Sequence, residues 1–180
     1  MTKLGRSGSL PEYTTQKNHL LHSSVVDGQA YSWTNATTDM AANATILLVK
    51  NTSSTLNLHI DQIWCHSDTT TVIRVHVPRD ASGNQVTPAG GAEITGVCLN
   101  FAKGNTAAAT AYENETDNDI TNTTNTDSEV IWAGSIPADN STPVLINSGL
   151  VLPEGESVAV DQVENTGEAY VTIIGHYERA

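Results

Sequence analysis

Four acidic residues recur at every second position in Glu113-Asn-Glu-Thr-Asp-Asn-Asp119. Crowded oxygen ligands of this kind are what a calcium ion requires. The run lacks the glycine and the terminal bidentate Glu of an EF-hand loop, so a solvated acidic loop is the favoured reading. Glu115, Asp117 and Asp119 are kept as candidate ligands for a calcium ion shared between subunits. A second constellation follows from Ser67-Asp-Thr-Thr70. If this is a tight turn, Asp61 and His76 lie opposite each other across a hairpin, with Arg74 nearby. Such a group is able to act as a base, but an outward-facing cross-strand ion pair is the favoured role. The six histidines come without a Gly-x-Ser-x-Gly nucleophile elbow. Ala89-Gly-Gly-Ala92 lacks the Lys and helix of a phosphate loop. The reading therefore assigns no catalytic residue, no cofactor and no resident metal, and takes the protein to be a non-enzyme.

Cys65 and Cys98 lie in apolar, strand-like runs, and no CxxC or Cys/His spacing points to zinc. Buried free thiols are expected, with a bridge left open. Trp33, Trp64 and Trp132 also sit in apolar runs and read as core residues, leaving Tyr13 and Tyr112 as the aromatics in polar settings. Few stacking platforms remain for a sugar.

The elements that must position these residues are strands. Gly149-Leu-Val-Leu152 and Ser157–Val163 are apolar runs separated by Pro153-Glu-Gly-Glu156, and Tyr170–Tyr177 follows the turn Glu164-Asn-Thr-Gly167. Short β-branched runs punctuated by such turns are antiparallel strands. Tyr31–Trp33, Ala44–Lys50, Thr71–Val77, Val97–Phe101, Val130–Trp132 and Val144–Ile146 read the same way, the last two around turns at Pro137 and Pro143. Leu56-Asn-Leu-His-Ile60 alternates cleanly, then the phase breaks at Ile63-Trp-Cys65. That break predicts a β-bulge or a passage buried on both faces. Tyr112 to Glu129 is almost wholly polar and reads as a long exposed loop or edge hairpin. The fold class is all-β: an antiparallel two-sheet sandwich, jelly-roll-like, over residues 29–180.

A chain of 180 residues with 38% hydrophobic content is long enough to bury a core without a covalent staple. The net charge of −12 argues against nucleic acid or an anionic membrane as partner. It is unevenly spread. Residues 1–20 carry Lys3, Arg6 and Lys17 against Glu12, while the rest carries 5 Lys/Arg against 19 Asp/Glu. Residues 1–28 thus read as an extended basic arm on an acidic body, with Lys3, Arg6, Tyr13 and Lys17 as its assembly contacts. Met1–Leu10 holds no apolar core of signal-peptide length, and no run approaches a transmembrane helix.

Three segments together resemble a class of small tailed-bacteriophage virion proteins. They are Ile46-Leu-Leu-Val-Lys-Asn51 with Leu56-Asn-Leu-His-Ile60, then Val97-Cys-Leu-Asn-Phe-Ala-Lys-Gly-Asn105, then Gly149–Ser157 with the closing Ile174-Gly-His-Tyr-Glu178. Cys98, Phe101 and Gly96-Val97 depart from the pattern. The resemblance spans about residues 30–178. It implies a β-sandwich capsid decoration (cement) subunit, made in the host cytoplasm and placed on the outer capsid surface. Its partners would be itself, as a homotrimer, and the major capsid protein. A tail- or fibre-associated carbohydrate-binding module is the alternative.

Overall fold

The computed structural model describes residues 23–36, 39–40, 45–80, 82–88, 90–115, 120, 129–163 and 167–179. Twelve strands are present among them: β1 (Ala30–Thr34), β2 (Asp39–Met40), β3 (Thr45–Asn51), β4 (Leu56–Ser67), β5 (Thr71–Val77), β6 (Ala92–Ile94), β7 (Val97–Cys98), β8 (Ala109–Glu115), β9 (Glu129–Ile136), β10 (Asn140–Leu152), β11 (Ser157–Gln162) and β12 (Gly167–Arg179). They form two antiparallel sheets. The first runs β10-β4-β12-β1-β7, with β2 on β12, and the second runs β6-β8-β3-β11-β5-β9. Trp33, Ile63, Val171 and Ile173 of the first sheet meet Leu47, Val49, Ile73, Val75 and Val160 of the second in one buried core. Alternation explains it: the inward positions of each strand are β-branched or large apolar residues, and the period of two sends their neighbours outward.

The sandwich is as expected, and several local expectations are corrected. Ser67–Thr70 does not close a hairpin, because β4 and β5 belong to different sheets. Asp61 and His76 are therefore not cross-strand neighbours. The phase break in β4 is a bulge: Ile60 pairs with Gly175 and Gln62 with Ile174, leaving Asp61 as the extra residue. This bulge turns Trp64 outward, so it is exposed rather than core. Trp132 is partly buried against the core, and Trp33 is buried. Gly134 accommodates Trp132, since a Cβ there would meet the indole ring at 2.6 Å.

The polar stretch starting at Tyr112 also departs from a loop. Ala109–Glu115 is a strand between β6 and β3, with Tyr112 opposite Leu48 and Ala111 opposite Val49. Pro143 lies inside β10 rather than in a turn. It sits at the sheet edge beside a register shift, where the missing N–H costs no ladder bond. A second shift follows between Ile146 and Leu150.

Both cysteines are free and buried. Cys65 on β4 and Cys98 on β7 are separated by β12 and β1. Three strand spacings of about 4.8 Å hold them far beyond the reach of a disulfide. Of the expected arm, residues 1–22, with Lys3, Arg6, Tyr13 and Lys17, lie outside the described residues. Residues 23–27 form one helical turn, tied to the body by a hydrogen bond from Asn100 Nδ2 to the Val26 carbonyl (3.0 Å).

Candidate functional site

The outward faces of the two sheets carry the polar chemistry. On the first sheet, β4 and β12 are neighbours in a register that sets His59 directly opposite His176. Their imidazoles stack, with centroids 5.2 Å apart and planes 23° from parallel. Gly175 permits this close approach, because a Cβ there would lie 2.5 Å from the His59 carbonyl oxygen. Asp61, two residues on from His59, faces the same patch, and Asp61 Oδ2 lies 2.7 Å from His176 Nδ1. Two residues along β12, Glu178 completes the group. Its Oε1 is 3.1 Å from His176 Nε2 and its Oε2 is 3.5 Å from His59 Nε2.

Access is graded across this cluster. His176 is nearly buried, Asp61 is less so, and His59 and Glu178 are 26% and 32% exposed at their side chains. Burial pushes the His176 imidazole pKa down. The hydrogen bonds and charges of Asp61 and then Glu178 outweigh that, leaving it above its ordinary 6.5. One donor atom each from His59, His176 and Glu178 falls within 4.8 Å of the others. Further along the same face, Trp64 and Tyr170 are exposed, Trp64 Nε1 donates to Gln62 Oε1, and the Tyr170 ring lies 5.8 Å from that of His66.

The second sheet holds the other His–Asp pair. His76 Nε2 on β5 lies 2.7 Å from Asp161 Oδ2 on β11, and both side chains are fully buried. The contact lacks the alignment of a hydrogen bond, whereas Thr45 Oγ1 donates to Asp161 Oδ1 at 2.7 Å. A roof seals this face. Leu48, Val86, Ile120 and Ala159 form a small second core, and Ala159 is the cross-strand neighbour of His76. The roofing segment around Val86 is fastened by Arg79 to Glu156 (2.6 Å) and by Lys50 Nζ to the Val86 carbonyl (2.7 Å). Burial lowers the Lys50 pKa, with Glu156 opposing.

The residues singled out from sequence are thus redistributed. Asp61 and His76 are parted onto different sheets and each finds another partner, while Arg74 stands in register with Asp161. Asp117 and Asp119 lie outside the described residues. Glu115 is buried, and its Oε2 accepts from the backbone N–H groups of Gly90 (2.9 Å) and Gly91 (2.8 Å). A Glu113 oxygen accepts from the Ala36 N–H. These carboxylates anchor strands instead of lining a solvated loop. His59, His176 and Glu178 escaped the sequence reading. Their signal was spacing: His59 and Asp61, like His176 and Glu178, stand two apart on one strand, where alternation sends both to one face. Comparison with protein-family models, with curated proteins and with solved structures finds no match for this chain.

Proposed function

We propose that the protein is a non-enzymatic assembly subunit, of the virion-decoration type that its sequence resembles, working through contacts with copies of itself and with a capsid surface. The observation that carries this reading is strand β9. Among the described residues it has one strand neighbour, β5, and it stands at the edge of the second sheet. Val130 and Ile131 on it are 51% and 39% exposed. Unmanaged edges with apolar side chains invite pairing with another chain, and folded proteins otherwise blunt them with charge or cover. Connectivity lends support. The principal strands order as β10-β4-β12-β1 and β3-β11-β5-β9, so that the first lies beside the last and successive strands alternate between sheets except for β5 and β9, which pair within the second. We read this order as jelly-roll-like, an architecture shared by viral capsid and lectin domains, and the support it lends is fold-level analogy.

The test is the native mass of the full chain. A closed homo-oligomer, a trimer on this reading, is expected at micromolar concentration, and Val130→Lys with Ile131→Lys should yield folded monomers. A monomeric parent chain would overturn the reading.

A second reading has its own observation: exposed Trp64 and Tyr170 beside Gln62 and His66 supply the stacking platform and polar rim that a glycan needs. Sugar-dependent thermal stabilisation that disappears in Trp64→Ala would favour it over assembly alone.

A further inference from the structure

We propose that His59, His176 and Glu178 bind one divalent transition-metal ion of the zinc class, with Asp61 as the residue that orients His176. The four side chains face one another across the paired strands β4 and β12, away from the proposed assembly edge β9.

Two imidazoles and a carboxylate form the ligand set. Calcium and magnesium prefer oxygen donors alone, while imidazole nitrogens suit zinc, copper, iron and nickel. Bonds of about 2.0–2.1 Å to a tetrahedral ion place adjacent donor atoms about 3.3 Å apart. Glu178 Oε1 lies 3.1 Å from His176 Nε2 and Oε2 lies 3.5 Å from His59 Nε2, and one donor atom from each residue lies within 4.8 Å of the others, so modest side-chain rotation closes the three on an ion. Three protein donors would leave a fourth position of the ion to water.

Asp61 supplies the independent support. A histidine that binds metal through one ring nitrogen donates its other N–H to a carboxylate, which fixes the tautomer and strengthens the ligand. His176 has this arrangement: Nδ1 is 2.7 Å from Asp61 Oδ2, and Nε2 points towards Glu178 and the convergence point. Alternation from His59 sends Asp61 to this face, and the β4 bulge leaves it as the residue without a Cα partner on β12. The ligands are also braced. They sit on two long paired strands of the sheet rather than on loops, so little ordering is left for the ion to impose.

The test uses the full chain, stripped with chelator and dialysed, then titrated with zinc chloride under calorimetry and thermal unfolding. One ion per chain and a rise in Tm are expected. His59→Gln and His176→Gln should each remove that uptake, and Asp61→Asn should weaken it about 10–100-fold. A control with His19→Gln and His22→Gln should bind as the parent does. Should His176→Gln not fold, the more exposed His59→Gln carries the test, with its fold checked by circular dichroism. Cobalt binding gives a second readout, since four-coordinate Co²⁺ absorbs far more strongly than six-coordinate. No zinc uptake at micromolar concentration, or uptake undiminished in a folded His59→Gln chain, would overturn the proposal. Neither result bears on the native mass, so the two readings fail separately.

Discussion

His76–Asp161 and His176–Asp61 are the same two side-chain types at the same 2.7 Å, built on opposite sheets. They differ in what lies over them. The first stands beside the small buried cluster of Leu48, Val86, Ile120 and Ala159, with Ala159 its cross-strand neighbour, and is fully buried. The second borders half-exposed His59 and Glu178. Residue types and distance are equal; what differs is burial, the ring nitrogen used, and the second carboxylate, Glu178, that His176 meets on the open face. A sealed pair acts on stability and an open one on binding.

The largest expected difference comes from breaking the sealed pair. Asp161→Ala strands His76 and the Thr45 hydroxyl in a water-free setting and should cost about 3–5 kcal/mol in denaturant unfolding. Asp61→Ala, on the open face, should cost about 1 kcal/mol because water replaces the lost partner. Equal losses would erase the contrast. Next in size, Val86→Ala removes two methyl groups from the roof and should cost about 2 kcal/mol. It should also speed hydrogen exchange on β5 and β11 while leaving β4 and β12 unchanged; an unaltered β5 would mean that Val86 is not the seal.

A chemical probe sharpens the contrast by showing that the open sheet is open on its outer side alone. Cys65 on β4 faces the core, and burial pushes its thiol up to about 12. In the native state at pH 8 a thiol reagent should leave it unmodified, and prompt labelling would place solvent between the sheets. The smallest effect belongs to the turn within the roofing segment. Asp80 accepts hydrogen bonds from the Asn84 backbone and side chain and from the Ser82 N–H, and these hold its carboxyl below the ordinary value of 3.8. A depressed folded pKa means a contribution present above the unfolded value and lost as pH falls through the folded one. Acid should thus loosen exchange protection at residues 82–84 slightly, and Asp80→Asn should abolish that pH response.

The parts of the fold legible in the sequence were those where alternation and side-chain size agreed. Thr71–Val77 is a strand as its β-branched run predicts, and the phase break after Ile60 marked a true bulge. Ala109–Glu115 was illegible because Ala, Glu and Asn are poor strand formers. Its ladder is set by β3 and β6, and its acids are satisfied by backbone N–H groups far off in sequence. Trp64 was misplaced for a related reason. The presence of a bulge is readable from phase, but which residue it expels is decided by the partner strand. The site was half legible: two spacings of two residues were in view, whereas their union depends on a register between strands more than a hundred residues apart.

Pro143 carries one last consequence. It interrupts the free margin of the first sheet, where a shifted register and Gly149 at φ +66° also distort β10. A flank without a regular row of amide protons makes a poor template for a visiting strand. Any growth by strand addition on that side is thereby steered to the neighbouring β9. Were two copies to pair through β9, each would spend its receptive flank on the other, and the pairing would stop short of an endless ribbon.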